Sequence, residues 1–83
     1  MLTGAYAALD GQNLVPGATA WGTSATNWLF GSVTGGDAHK GSQGGDQLQM
    51  NPIINFYADA SNPFYDEKWR ADFEGVSRCN QVL

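Results

Sequence analysis

With 83 residues, the chain has length for at most one small domain, and a chain near that size buries only about 60–65% of the surface its unfolded form exposes. Charged residues make up 14% of it and hydrophobic ones 42%, where an average domain carries about 25% charge. The net charge is −4, with only Lys40, Lys68, Arg70 and Arg78 positive, so no basic patch is available to neutralise a phosphate backbone and the composition argues against nucleic-acid binding. Eight of the eleven glycines fall between Gln12 and Asn62. This describes a loop-rich middle whose exposed polar groups are mostly neutral, a surface suited to neutral ligands. The single cysteine, Cys79, has no intrachain disulfide partner and sits in a helical pattern as a small packing residue. No stretch approaches the roughly 18–20 apolar residues of a membrane span, and the first residues show neither a basic start nor an apolar signal core.

In chain order, Leu2, Tyr6 and Leu9 fall at i, i+4 and i+7, with Ala5, Ala7 and Ala8 as helix formers and Gly11 as a C-terminal cap. They predict a helix over about 1–11. Nothing upstream caps it, which implies that the helix starts before Met1. About 50 residues follow with no sustained period of 3.6 or 2. Within them, short turns are expected at Thr26 to Phe30 and at Asn51-Pro52 through Ile53, Phe56 and Tyr57. Fixing the backbone of so long a segment costs on the order of 50–100 kcal/mol, whereas each large apolar side chain buried returns about 1.5–3 kcal/mol. Yet the segment holds Trp21, Trp28, Leu29, Phe30, Ile53, Ile54, Phe56 and Tyr57, too apolar for a disordered linker. The expectation is that it packs against chain beyond these 83 residues. Trp21 and Trp28 are candidate stacking platforms, but Trp28, followed directly by Leu29 and Phe30, reads more as a core anchor.

The last predicted element covers 63–83. Asn62 is a good N-cap, Pro63 fits the first helical position, and Asp66 and Glu67 lie at the positive end of the dipole. Tyr65, Trp69, Phe73, Val76, Asn80 and Leu83 recur at spacings of four, four, three, four and three, which predicts a buried face with Asn80 bonded to the long loop. Asp66 with Arg70 and Glu74 with Arg78 make i,i+4 pairs. No Gly, Asn or Pro closes the helix, so both ends of the chain look truncated.

Three runs in this order resemble the N-terminal part of the SusD/RagB family. They are Asn27-Trp28-Leu29-Phe30-Gly31-Ser32, then Gly36-Asp37-Ala38-His39-Lys40-Gly41, then Lys68-Trp69-Arg70 through Glu74-Gly75-Val76-Ser77-Arg78-Cys79-Asn80-Gln81-Val82-Leu83. The family helix reads roughly Trp, spacer, Tyr or Phe, any residue, Gly, Ile or Val, then Arg-Ala-Asn and an apolar pair. Trp69, Phe73, Gly75, Val76, Arg78, Asn80, Val82 and Leu83 match that order, with Cys79 in place of the usual Ala. The start, Thr3-Gly4-Ala5-Tyr6-Ala7-Ala8-Leu9, extends the similarity over nearly the whole chain.

The resemblance implies a mainly α protein built on tetratricopeptide-like helix pairs, of which residues 1–83 are a partial N-terminal region. It implies a surface-exposed outer-membrane lipoprotein that binds oligosaccharide or another nutrient without changing it. Its partners would be a TonB-dependent, SusC-like transporter and the remainder of a SusD-like chain. The family's anchor is a lipid-modified cysteine after a signal segment, a position that Cys79 in the last helix does not match.

Sugar sites combine aromatic faces with amides, carboxylates and cations that bond hydroxyls, on loops held by a rigid scaffold. The irregular middle supplies such groups, and Asp37, His39, Lys40, Asp46 and Tyr57 are the candidate ligand contacts. Gln43, Asn55 and Asn62 lie among them. No catalytic motif accompanies them. Carboxylates at Asp37, Asp46 and Asp59 lack a supporting pattern for glycoside hydrolysis. His39 stands near no nucleophile-elbow or Walker sequence, and Asp37, His39 and Asp46 match neither EF-hand nor zinc spacing. The chain reads as a non-enzyme needing no cofactor or metal, the alternatives being a small helical structural or interaction domain without ligand, docking through Trp69, or an inactive fragment.

Overall fold

A computed structural model describes residues 2–10 and 15–83. The protein is mainly helical, and the described residues form no strand. Helix α1 spans Leu2–Tyr6, α2 Ser32–Gly35, α3 Met50–Ile54 and α4 Pro63–Val82, with 3-10 turns at Ala7–Leu9, Ala20–Gly22 and Ser24–Leu29.

Helix α4 begins where its capping residues predict. The Asn62 side chain accepts from the Phe64 N–H at 3.0 Å and Pro63 occupies the first turn. The same side chain donates to the Gln49 carbonyl at 2.8 Å, so the cap also ties the helix to the chain entering α3. The predicted pairs form, Glu74–Arg78 at 2.9 Å and Asp66–Arg70 at 3.8 Å, joined by Lys68–Asp72 at 3.1 Å.

Tyr65 of the predicted stripe is half-buried against the core, but beyond it the face of α4 that packs is not the one the periodicity predicts. Phe64, Lys68, Ala71, Gly75 and Arg78, spaced four, three, four and three, are buried or half-buried, whereas Trp69 is 65% exposed and Phe73 51%. Val76, Asn80 and Leu83 are also exposed. Small side chains and aliphatic stems let neighbouring backbone approach closely on the inner face. A Cβ on Gly75 would stand 3.3 Å from that of Ala8. Arg78 then reaches across to donate to the Gly4 carbonyl at 3.2 Å. Asn80, expected to bond the long loop, faces solvent on the outer stripe.

The first helix is shorter than the predicted 1–11. Its α-helical part ends at Tyr6 and tightens into the 3-10 turn, where the Asp10 N–H bonds the Ala7 carbonyl at 3.4 Å. A tightened last turn satisfies carbonyls that an α-helix leaves open. Met1 and the expected cap Gly11 lie outside the described residues. Leu2, Tyr6 and Leu9 stay exposed because the segment meets α4 through Ala5 and Ala8.

The middle segment builds its own small core. Leu29, Val33, Met50, Ile53 and Phe64 are buried, flanked by Trp21, Phe30, Ile54 and Tyr65. The long segment is therefore a set of short helices gathered on the first turn of α4, not one irregular connection. Trp28, expected as the anchor, is 41% exposed, and its place is taken by half-buried Trp21. The Trp21 ring meets Phe64 edge-on at 5.5 Å and Trp28 at 6.1 Å. In the turn Ser24–Leu29 side chains eclipse every three residues. Burying Leu29 thus leaves its neighbour Trp28 at the edge of the cluster.

Helix α3 starts at Met50, so Asn51 does not cap it; the Asn51 amide donates to the Gly44 carbonyl at 3.3 Å. Pro52 is tolerated because its missing N–H lies in the first turn. The helix stops before Phe56, which has a φ of 60°. The Phe56 N–H bonds Ile53 at 3.2 Å and the Tyr57 N–H bonds Pro52 at 2.9 Å. This closing pattern favours glycine at the position Phe56 holds.

Hydroxyls pin the turns together. Ser24 donates to the carbonyls of Leu9 and Asp10 at 2.6 and 2.9 Å, and buried Thr23 donates to Ala20 at 2.8 Å. Thr19 donates to Glu67 Oε2 of α4 at 2.6 Å.

Candidate functional site

Four of the five candidate ligand contacts sit on the loop between α2 and α3. Helix α2 ends on Gly36 at a φ of 86°, a left-handed cap that glycine adopts without a Cβ clash. The next N–H, of exposed Asp37, bonds back to the Ser32 carbonyl at 2.9 Å. His39 Nδ1 accepts from the Gly41 N–H at 3.1 Å, so the imidazole closes a local turn and carries its proton on Nε2 when neutral.

Lys40 is half-buried and its ammonium donates to the Asp46 backbone carbonyl, which closes the loop between them. Asp46 itself presents its side chain to solvent. Tyr57 lies beyond the far end of α3 and is 64% exposed. The structure thus brings Lys40 to Asp46 and uses His39 as a turn acceptor, while Asp37 and Tyr57 stand apart on exposed backbone. Among the described residues, no group of three His, Cys, Asp or Glu side chains is placed to hold a metal ion.

Of the concavities formed by the described residues, two bear on binding of a ligand or a partner. A cleft of about 300 Å³ opens between the turn Ala20–Gly22, the strap 47–49 and the start of α4. Its lining mixes apolar Trp21, Leu48, Pro63 and Phe64 with polar Thr19, Gln47, Gln49 and Glu67. The strap is held at both ends, because Lys40 bonds the Asp46 carbonyl and the Asn62 amide bonds that of Gln49. Between those anchors Gln47 adopts a φ of 46°, left-handed backbone that is costly for a residue with a Cβ. Trp21 and Glu67 stand out singly in the sequence, but nothing there brings them together, since the strap has no period and the two lie 46 positions apart.

The second is a larger trough of about 630 Å³ between α1 and α4, walled by Leu2, Tyr6, Leu9, Val76, Val82 and Leu83 over a floor of Ala8, Gly75 and Cys79. It is nearly all apolar, with Asp72 and Asn80 at its edge. Beside it on α4, Trp69 and Phe73 stack in a tilted pair at 4.4 Å. Such a surface suits an apolar protein face more than a hydroxylated ligand.

One carboxylate is tuned. Asp59 Oδ1 accepts from both the N–H and the hydroxyl of Ser61, each at 2.9 Å, and these bonds hold its carboxyl below the ordinary aspartate value. Asp59 belongs to the turn leading into the Asn62 cap, where its backbone carbonyl also accepts from the Asn62 N–H at 3.0 Å. Compared with known protein families, curated proteins and solved structures, the chain shows no match.

Proposed function

We propose that this chain belongs to a SusD-like, non-catalytic glycan-binding protein of the outer-membrane surface, working with a TonB-dependent transporter. The observation that carries the reading is the ordered series of family-like motifs ending in Trp69, Phe73, Gly75, Val76, Arg78 and Asn80, all on the single helix α4. Under this reading α1 and α4 are a helix pair of a tetratricopeptide-like scaffold, and the short helices between them carry the ligand. The neutral polar character of that middle segment, with aromatic groups at Trp21, Trp28 and Tyr57, supports a neutral polyhydroxylated ligand. Asp37, His39, Lys40, Asp46 and Tyr57 remain its proposed contacts, with Lys40 acting through the loop it closes. The test is calorimetric titration with neutral oligosaccharides alongside an assay for reducing ends. Binding without release is expected; reducing ends produced over time by the pure protein would overturn the proposal.

A second reading, a helical interaction domain, is favoured by the outward Trp69 and Phe73 pair and the apolar trough beside it. A monodisperse, cooperatively melting monomer with no sugar affinity would favour it over the first.

A further inference from the structure

The cleft between Trp21, the strap 47–49 and Glu67 has features that the function above does not use, and we infer that it is a subsite for a neutral sugar ring. This rests on the glycan-binding reading and gives it a location. The volume, about 300 Å³, lies at the small end of ligand pockets and accommodates roughly one or two pyranose rings.

The lining combines the groups that sugar recognition uses. Half-buried Trp21, packed edge-on against Phe64, supplies aromatic carbon suited to the C–H face of a ring. Glu67 and the amides of Gln47 and Gln49 line the same cleft, and together they offer carboxylate and amide acceptors with amide donors for hydroxyls. Glu67 is already oriented, since Thr19 donates to its Oε2. With a carboxylate in the wall and no cation, the cleft favours a neutral ring over a uronic acid.

Its rim is also preorganised. Gln47 holds left-handed backbone at a φ of 46° with its carbonyl bonded by the Met50 N–H at 2.8 Å. Met50 is itself buried in the core, and Lys40 and Asn62 secure the carbonyls on either side. Strain that the surroundings maintain at a cleft rim is a pattern associated with binding sites. Lys40 and Asn62 are thus positioning residues.

The experiment is a titration of the 83-residue chain with maltohexaose, cellohexaose and xylohexaose, followed by the Trp21 indole N–H resonance and by calorimetry. The expected result is a shift of that resonance with at least one sugar. Glu67→Ala should weaken affinity about tenfold, and Gln47→Gly should weaken it while raising the melting temperature, because glycine relieves the left-handed backbone. A sugar that binds with Trp21 unmoved and both variants at wild-type affinity would overturn the subsite and leave the glycan-binding reading standing. Absence of binding by all three sugars at millimolar concentration would overturn that reading and the subsite with it.

Discussion

Asn62 joins two parts of the fold, capping α4 through its oxygen and holding the Gln49 carbonyl through its nitrogen while 97% of it is withdrawn from solvent. Asn62→Ala therefore removes a cap and leaves a carbonyl unsatisfied, a loss of about 2 kcal/mol expected in the urea midpoint. Asn62→Asp keeps the cap acceptor but loses the donor, so its midpoint should fall between wild type and Ala. Three residues earlier, Asp59 has a folded-state pKa below its unfolded one. Its stabilising contribution is therefore present above the ordinary aspartate value of 3.8 and is lost as pH falls through the lower folded value. Asp59→Ala should melt below wild type near neutral pH, and the difference should shrink below about pH 4. A gap that persists unchanged at pH 2 would mean that the carboxylate charge plays no part. The cap at Asn62 was legible in sequence because capping is local; its second bond to Gln49, 13 positions away, was not.

At the scale of elements, α4 carries two stripes, and the choice between them is the main structural departure from the sequence pattern. The inner stripe at Ala71 and Gly75 allows α1 to approach until Gly75 faces Ala8. Gly75→Leu should lift α1 and the 3-10 turn Ala7–Leu9 from α4, so amide exchange over residues 2–9 should accelerate while residues 50–54 stay protected. Trp69 provides the opposite contrast. Were its stripe the buried one, Trp69→Ala would cost about 3–5 kcal/mol. Exposed as it is, the substitution should change stability of the chain by no more than about 0.5 kcal/mol in urea unfolding. A loss at the larger value would show that the outer stripe is covered in solution. Hydrophobic periodicity registered Trp69 and Phe73 but gave no weight to small residues, whose contribution is close approach rather than apolar area.

The whole molecule is elongated, 43 × 23 × 19 Å with a radius of gyration of 14.0 Å, against about 12 Å for a compact chain of this length. Among the described residues, five buried apolar side chains gather around the first turn of α4, and the rest of that helix extends away from them along α1. With so small a core, Leu29→Ala, which empties a position of 0% exposure, should cost about 2–5 kcal/mol. That is enough to remove most of the stability available to a chain this small, and it should appear as loss of the cooperative melting transition. The exposed trough and the Trp69 and Phe73 pair are the structural counterpart of this shape.

The sequence by itself determined what depends on neighbours within a turn or two: the start of α4 at Asn62-Pro63, its i,i+4 ion pairs and the short turn near Thr26 to Phe30. These follow from capping, propensity and side-chain spacing, which act over a few residues. Only the tertiary structure decided which face of α4 is covered, that Trp21 rather than Trp28 enters the core, and that residues 47–49 form a cleft with Glu67. Those outcomes depend on which distant backbones can approach one another, and small residues such as Gly75 set that distance without leaving a hydrophobic period to read.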